Sequence, residues 1–172
     1  IEQNRQDIIQ YDANIKRMCE DLDYYNDHKN ESHVLLNGLQ EATMEETGRE
    51  LHRISKRYRG DDYKVIGSYM GLNLLVKSEW NFSGIFDRNI FFVEGVSGLK
   101  YRCGASGALP LGFKAAAEYP QAALEGIGKL IERQKENLFR LETEIPTLQQ
   151  LVERKWNKTE ELETLKFEES VK

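Results

Sequence analysis

The sequence predicts an α+β fold, in which a helix covers a small antiparallel meander sheet and long N- and C-terminal helices form an antiparallel coiled coil. Two observations predict it. Apolar residues recur at steps of three and four near both ends of the chain, which places them on one face of a helix. Between residues 63 and 103 the apolar period becomes extended, and turn residues interrupt it. We therefore expect an N-terminal heptad helix (1–30), an α+β core (31–111) and a C-terminal helical segment (112–172).

The N-terminal helix is predicted from apolar residues spaced by seven. The series runs through Ile1, Ile8, Ile15 and Leu22, with Tyr11, Met18 and Tyr25 three residues behind the last three of them. This is the a/d pattern of a coiled coil, so the stripe needs a partner helix to cover it.

The core begins with a short candidate strand at 33–36. Thr43 and Glu46 then form a capping box, in which the Thr hydroxyl and the Glu carboxylate each satisfy a free N–H group of the first helical turn. The helix that they open is predicted over 43–58. Gly48 lies inside it, where glycine costs about 1 kcal/mol relative to alanine, so we expect close packing against the sheet to compensate.

Four strands in meander order are predicted between residues 63 and 103. The first hairpin turns at Met70 and Gly71, the second turns at 96–98, and residues 81–88 form a longer link between them. The candidate strand at 33–36 would add a fifth strand. Because an antiparallel sheet can leave one face to water and must cover the other, the helix at 43–58 is the expected cover.

The C-terminal segment carries a second heptad stripe. It comprises Leu124, Ile127, Ile131, Leu138, Leu141, Ile145, Leu148 and Val152, with only Gln134 polar in the series. Pro120 suits the first turn of this long helix, whereas Pro146 is expected to kink or break it, because proline lacks the N–H and clashes with the preceding turn. Beyond Trp156 a new cap signal predicts a turn into a last helix that doubles back.

The N- and C-terminal stripes are expected to cover each other. The residues predicted to form this coiled-coil interface are Ile8, Ile15, Leu22, Leu124, Ile127, Ile131, Leu138, Leu141 and Ile145. Self-association of either stripe into a homodimer is the alternative, and the a/d pattern alone does not separate the two.

The charge of the chain excludes a strongly basic nucleic-acid binder. The formal net charge is −5 at pH 7, whereas dedicated nucleic-acid binders carry a basic excess. Any DNA contact must therefore come from a local patch. One basic cluster lies on or just after the 43–58 helix and comprises Arg49, Arg53, Lys56, Arg57 and Arg59. Its helical members share a face that could bind DNA phosphates, and the alternative is a solvated face paired with nearby acids.

Residue types suited to catalysis or metal binding do not form a recognised motif in the sequence. His28, His33 and His52 have no Cys, Ser-Gly elbow or carboxylate pair nearby, and Cys19 and Cys103 lack the spacing of a metal site. We therefore expect no catalytic residue, no metal and no cofactor in this chain, and two buried thiols. Because no apolar run reaches the length of a membrane span, we expect a cytoplasmic protein without membrane contact.

Three sequence elements resemble those of one protein family. They are a hairpin with Ile66, Gly67, Tyr69, Gly71 and Leu72, a helix start with Ala123, Leu124, Ile127, Ile131 and Leu138, and a last element with Trp156, Lys158, Glu161, Leu162, Leu165 and Lys166. Over residues 32–168 the chain resembles the C-terminal region of large helicase–N6-adenine DNA methyltransferase proteins. Those proteins are carried on mobile elements, notably of Bacteroidetes.

The resemblance implies a role in DNA modification without an active site in this chain. The family's catalytic motifs lie in other domains, and this sequence has no Asn-Pro-Pro-Tyr motif, no S-adenosylmethionine glycine motif and no helicase motif. The start without Met and the end within a helical pattern also suggest a fragment of a longer polypeptide. We expect a non-catalytic accessory domain of a methyltransferase–helicase that contributes to DNA binding or positioning, with the other domains of the parent polypeptide and DNA as partners. The alternative is a coiled-coil oligomerisation or scaffolding module, a homodimer without DNA contact.

Overall fold

The computed structural model describes residues 2–31, 34–104 and 109–171. In chain order, these residues form α1 (Glu2–His28), a 3₁₀ turn (Lys29–Glu31), β1 (Val34–Leu36), α2 (Met44–Arg57), β2 (Lys64–Tyr69), β3 (Leu72–Trp80), β4 (Phe86–Glu94), β5 (Lys100–Arg102), α3 (Phe113–Glu125) and α4 (Ile127–Val171). The chain divides into two compact units: Ile1–Ile15 with Glu132–Lys172, and Lys16–Ile131. The predicted division at residues 30 and 111 stays a prediction.

The five strands form one antiparallel sheet in the order β1-β2-β3-β4-β5, so the predicted meander and its fifth strand are confirmed. The first hairpin turns at Met70 and Gly71, which have φ angles of 55° and 79°. Two consecutive positive φ values give the turn that matches the twist of paired strands. Residue 33, at the start of the first candidate strand, lies outside the described residues.

The link between the two hairpins is shorter than predicted, because β4 begins at Phe86. The side chain of Asn81 accepts hydrogen bonds from the backbone N–H groups of Ser83 and Ile85, both at 3.0 Å. When an Asn side chain accepts a hydrogen bond from the backbone two residues later in the chain, it mimics a backbone turn and allows a short loop. The prediction of a link over residues 81–88 was therefore wrong at its C-terminal end.

One face of the sheet carries the core of the Lys16–Ile131 unit. Buried side chains alternate along β3 and β4 on this face, at Leu72, Leu74, Val76, Phe91 and Val93. In the register Leu74 lies opposite Val93 and Val76 lies opposite Phe91. The expected cover, α2, contacts β1 and β4, and α3 contacts β1, β4 and β5. We call this side of the sheet the covered face. The helix α3 was not predicted as part of the cover.

Helix α2 begins as predicted, and the hydroxyl of Thr43 accepts a hydrogen bond from the N–H of Glu46 at 3.2 Å. The expected environment of Gly48 was wrong. A Cβ atom at Gly48 would lie 1.8 Å from the backbone oxygen of Phe113, the first residue of α3. The missing side chain therefore allows close packing against a second helix rather than against the sheet.

A buried carboxylate joins the C-terminal part of α1 to the β4–β5 turn. Asp21 is 1% exposed and accepts hydrogen bonds from the Ser97 N–H (3.0 Å), the Ser97 hydroxyl (2.6 Å) and the Tyr101 hydroxyl (2.5 Å). Burial, and then the hydrogen bond to Asp21, raise the pKa of Tyr101 above its ordinary value, so this hydroxyl stays a donor at neutral pH. The Tyr24 hydroxyl donates to the carbonyl of Met70 at 2.6 Å and holds α1 to the other hairpin turn.

The chain breaks between its last two helices at Gly126, not at Pro120 as predicted. Pro120 lies inside α3, and the long helix begins at Ile127. The Gly126 N–H donates to the carbonyl of Ala122 at 3.2 Å and caps α3. Glycine is a poor helix former, and a helix end is therefore favoured at this position.

Helix α4 is continuous from Ile127 to Val171. The predicted break at Pro146 is therefore absent, and a kink there stays a prediction. The predicted turn after Trp156 was wrong. No glycine or proline follows Trp156, and the Thr159 hydroxyl donates to the carbonyl of Lys155 at 3.0 Å, a bond available to a residue within a helix.

The predicted coiled-coil interface falls in both units. Leu124, Ile127 and Ile131 are buried in the Lys16–Ile131 unit, where Leu22 is half-buried. In the other unit Ile15 is buried, and the remaining members are half-buried: Ile8, Leu138, Leu141 and Ile145. The antiparallel coiled coil itself stays a prediction.

Candidate nucleic-acid interface

Helix α2 carries its acids at its start and its bases at its end. Glu45 and Glu46 lie in the first turn, and Lys56 and Arg57 lie in the last turn. This order suits the helix dipole, which favours negative groups at the N-terminus and positive groups at the C-terminus. The basic groups are therefore concentrated where α2 approaches the edge of the sheet, at the start of β2.

A groove of about 500 Å³ lies between the end of α2 and β2. Its lining residues are Asn37, Glu50, Arg53, Ile54, Arg57, Tyr58, Arg59, Lys64, Val65 and Ile66. Four of these side chains are cationic and one is a carboxylate, so the groove is a local positive site on a chain of net charge −5. We call it the basic groove.

The five predicted basic residues divide between two clefts. Arg57 and Arg59 line the basic groove, whereas Arg49 and Lys56 line a second cleft of about 430 Å³ that also contains His52, Leu111 and Phe113. Arg53 lines both clefts. Helical spacing predicted one shared face for Arg49, Arg53, Lys56 and Arg57. All four side chains are exposed, but the structure divides them between the two clefts.

Two of these arginines are already paired with acids on the same helix. Arg49 lies 3.7 Å from Glu45, with both side chains more than half exposed, and Arg53 donates to Glu50. The hydrogen bond from Arg53, opposed by burial, lowers the pKa of the Glu50 carboxyl. Exposed pairs of this kind contribute little to stability, so a phosphate can compete for the arginine at small cost.

Arg59 is fixed at the end of α2. One of its terminal nitrogens donates to the carbonyls of Lys56 (3.0 Å) and Tyr58 (2.7 Å), and its guanidinium carbon lies 3.4 Å from the centroid of the Phe86 ring. An arginine has five N–H donors, so donors remain for a ligand. Stacking on an aromatic ring orients the guanidinium and leaves its charge in place.

Sequence reasoning missed Lys64 and Asn37. Lys64 pairs in register with Val76, a core residue, so its side chain belongs to the covered face and lies beside α2. Asn37 is held at the groove by hydrogen bonds to β2, from its N–H to the Ile66 carbonyl (2.9 Å) and from its side chain to the Val65 carbonyl (3.4 Å). The register of β2 against β3, which shifts between Val65 and Gly67, decides which side chains of β2 reach the groove. The sequence near these residues does not predict that register.

A buried polar pair fixes the end of α2 to the sheet. The side-chain amide of Asn89 on β4 donates to the carbonyls of Ser55 (3.0 Å) and Tyr58 (2.8 Å) at the helix end, where the last carbonyls have no N–H partner within the helix. Its side-chain oxygen accepts from the hydroxyl of Ser78 at 2.7 Å. This pair is structural, and it holds the last turn of α2 beside the basic groove.

The described residues contain no cluster of three His, Cys, Asp or Glu side chains that could hold a metal ion. Cys103 is buried as expected, and burial raises the pKa of its thiol to about 12, whereas Cys19 is only half-buried. Within the same part of the chain, no helix combines the length and the apolar character that crossing a membrane requires.

Comparison with known proteins places the chain in a family. No curated protein and no solved structure matches it. A family model described as "Domain of unknown function (DUF8438)" matches residues 20–124, which lie within the Lys16–Ile131 unit and include α2, the sheet and the basic groove. The match covers more than half of the chain, and the protein therefore belongs to the DUF8438 family.

Proposed function

We propose that the Lys16–Ile131 unit binds the phosphate backbone of DNA through the basic groove. The observation that carries the proposal is the convergence of four cations on one groove with a single carboxylate: Arg53 and Arg57 from α2, Arg59 from the segment after it, and Lys64 from β2. Cationic side chains that neutralise phosphates supply most of the sequence-independent affinity of a protein for DNA. Phosphate contacts also set the position and orientation of a protein on the duplex.

The role that we propose for this binding is accessory. The resemblance of residues 32–168 to the C-terminal region of helicase–N6-adenine DNA methyltransferases supports a positioning domain in a larger DNA-modifying protein. In such a protein the catalytic motifs lie in other domains, and this unit would hold the DNA while they act. The residues that the family model matches lie inside the Lys16–Ile131 unit and include the basic groove.

Removing two cations from the basic groove is expected to weaken DNA binding. Arg57→Gln with Lys64→Gln is the suitable double variant, because both side chains are exposed and neither contributes to the helix end as Arg59 does. Each lost phosphate contact lowers the slope of log affinity against log salt by about one, so the double variant should lose about two. Fluorescence anisotropy of a labelled duplex, titrated with the chain at about 50 mM and about 200 mM salt, measures that slope.

A matched control removes two exposed arginines elsewhere. Arg133→Gln with Arg140→Gln changes the net charge by the same amount on α4, and we expect it to change the slope much less. The proposal is wrong if the two double variants bind the duplex alike, or if the unmodified chain does not bind it even at the lower salt.

The second candidate function is self-association through α4. Beyond Pro146, apolar side chains on one helical stripe are exposed: Leu148 (37%), Leu151 (53%), Val152 (50%) and Leu162 (58%). A helix normally buries such a stripe against another element, so these residues favour a second helix as a partner. In this case the chain would be a coiled-coil scaffold.

Self-association predicts a dimer that a charge on this stripe disrupts. Leu151→Asp with Leu162→Asp should convert the dimer to a monomer in light scattering, because a carboxylate in a helix interface loses its hydration. Gln150→Asp with Asn157→Asp adds the same charge on the opposite side of the helix and should leave the dimer intact. Ile131 is unsuitable for this test, because it is buried in the other unit and its replacement would report on folding. A monomeric unmodified chain at all concentrations would exclude this candidate.

A further inference from the structure

The face of the sheet opposite α2 and α3, which we call the outer face, combines aromatic and cationic side chains. The register places these residues on it: Val65, Leu75, Lys77, Glu79, Arg88, Ile90, Phe92, Glu94, Lys100 and Arg102. Four of them are cations and two are carboxylates. This face therefore has a net positive charge although the whole chain is negative.

An aromatic pair lies across this face. The rings of Tyr63 and Phe92 meet edge to face, with their centroids 5.1 Å apart. Beneath them Leu75 is only 2% exposed, whereas Tyr63 is 40% exposed and Val65 is 44% exposed. The pair thus both covers the strands and presents aromatic and apolar surface to solvent.

Two ammonium groups converge on the Tyr63 ring. The Lys77 nitrogen lies 4.8 Å from the ring centroid and the Lys100 nitrogen lies 5.0 Å from it. Like charges close to one ring repel each other, and an anion beside them would relieve that repulsion. One such anion is already present, because Glu94 lies 3.5 Å from Lys100 in a partly exposed pair, for which a phosphate can compete at small cost. The other carboxylate of this face, Glu79, accepts from Arg88 at 2.9 Å.

We propose that the outer face binds single-stranded nucleic acid. An unpaired base would stack against the Tyr63 ring, and Lys77, Lys100 and Arg102 would contact the phosphates on either side of it. An exposed aromatic ring with cations around it is the arrangement that binds single strands without sequence preference, since every base has a π-face. In a duplex the bases are stacked on each other, so their faces are not open to an aromatic ring of the protein.

The basic groove and the outer face meet at the edge of the sheet. β1 pairs with Gly67–Tyr69, and Asn37 bonds to the carbonyls of Val65 and Ile66, so Lys64 lies beyond the part of β2 that these residues cover. Consecutive side chains of a strand point to opposite faces. Lys64 lies in the basic groove, and Tyr63 lies on the outer face. One nucleic-acid chain could therefore pass from the groove round this edge. This inference rests on the proposed function and specifies its ligand, a strand that leaves a duplex and becomes single.

The test compares a labelled oligothymidine with a labelled duplex, each titrated with the full chain by fluorescence anisotropy. Tyr63→Leu removes the ring and keeps an apolar cover over Leu75, and it should weaken oligothymidine binding about tenfold while duplex binding stays unchanged. Tyr63→Phe keeps the ring and should bind oligothymidine like the unmodified chain. Lys77→Gln should lower the salt slope for oligothymidine by about one. Thermal unfolding of each variant, followed by circular dichroism, checks that the fold is intact.

The outcomes separate this inference from the proposed function. Suppose that Arg57→Gln with Lys64→Gln weakens duplex binding, but Tyr63→Leu and Lys77→Gln leave oligothymidine binding unchanged. The outer face then does not bind single strands, and the proposed function of the basic groove still stands. If the groove variant does not weaken duplex binding, the proposed function fails whatever Tyr63→Leu does. A chain that binds neither probe overturns both the proposed function and this inference.

Discussion

Replacing Asp21 by alanine is expected to lower the free energy of unfolding of the Lys16–Ile131 unit by about 3 kcal/mol or more. The change removes an acceptor of three hydrogen bonds and leaves the N–H of Ser97 and the hydroxyl of the buried Tyr101 without their partner. Orphaned buried donors cost more than the lost bond was worth, because they were already removed from water. The result should be a lower urea midpoint with an unchanged slope.

The two tryptophans allow the unfolding of this unit to be followed alone. Trp80 lies in the Lys16–Ile131 unit and Trp156 in the other, so a Trp156→Phe background leaves a fluorescence signal from the first unit. Asp23→Ala is the matched control, since Asp23 is an exposed acid on the same helix, and it should change stability by less than about 0.5 kcal/mol. Tyr101→Phe removes one donor without leaving an orphan and should cost about 1 kcal/mol. Equal midpoints for Asp21→Ala and Asp23→Ala would show that the buried carboxylate does not hold α1.

The elements that sequence reasoning predicted well are those whose signals are local. The cap at Thr43 and the turn at Met70 and Gly71 each lie within a few residues of the structure that they specify. Asp21 has its partners 76 to 80 residues away, so nothing near it in sequence reports its role. One sign was available: Asp21 lies three residues after Met18 and four before Tyr25, so a charged residue shares the inward face of α1.

The same distinction between local and distant signals applies to the residues of the basic groove. Helical spacing was enough to place Arg53 and Arg57 on an exposed part of α2, because that spacing is set within one element. Lys64 joins them only because β2 runs beside the end of α2 and the register of β2 against β3 directs it there. A one-residue change of register would move Lys64 to the other face of the sheet.

The heptad stripes show which question periodicity alone leaves open. Leu124, Ile127 and Ile131 continue the same spacing as Ile145, yet the first three are buried in the Lys16–Ile131 unit. Apolar residues spaced by three or four show which face of a helix is apolar. They do not show whether a sheet, a helix or a second chain covers that face. Only tertiary contacts decide this, and they are not encoded in a local window.

Gly48→Ala is expected to destabilise the Lys16–Ile131 unit, although the same change usually stabilises a helix. Alanine is the better helix former by about 1 kcal/mol. At Gly48, however, the new methyl group would lie 1.8 Å from the backbone oxygen of Phe113, so α2 and α3 would have to move apart. A clash with backbone cannot be relieved by a side-chain rotation, and we expect a net loss of about 3 kcal/mol, measured as a lower urea midpoint by Trp80 fluorescence.

Gly128→Ala separates helix propensity from packing. Gly128 also lies in a helix of the Lys16–Ile131 unit, but no atom lies within 4 Å of the position that its Cβ would take. The substitution should therefore stabilise the unit by about 0.5 kcal/mol. Opposite signs for the two glycines would establish that α2 and α3 are held at a distance that only glycine permits. If Gly48→Ala also stabilised the unit, that close approach would be wrong, and with it the position of α3 on the covered face.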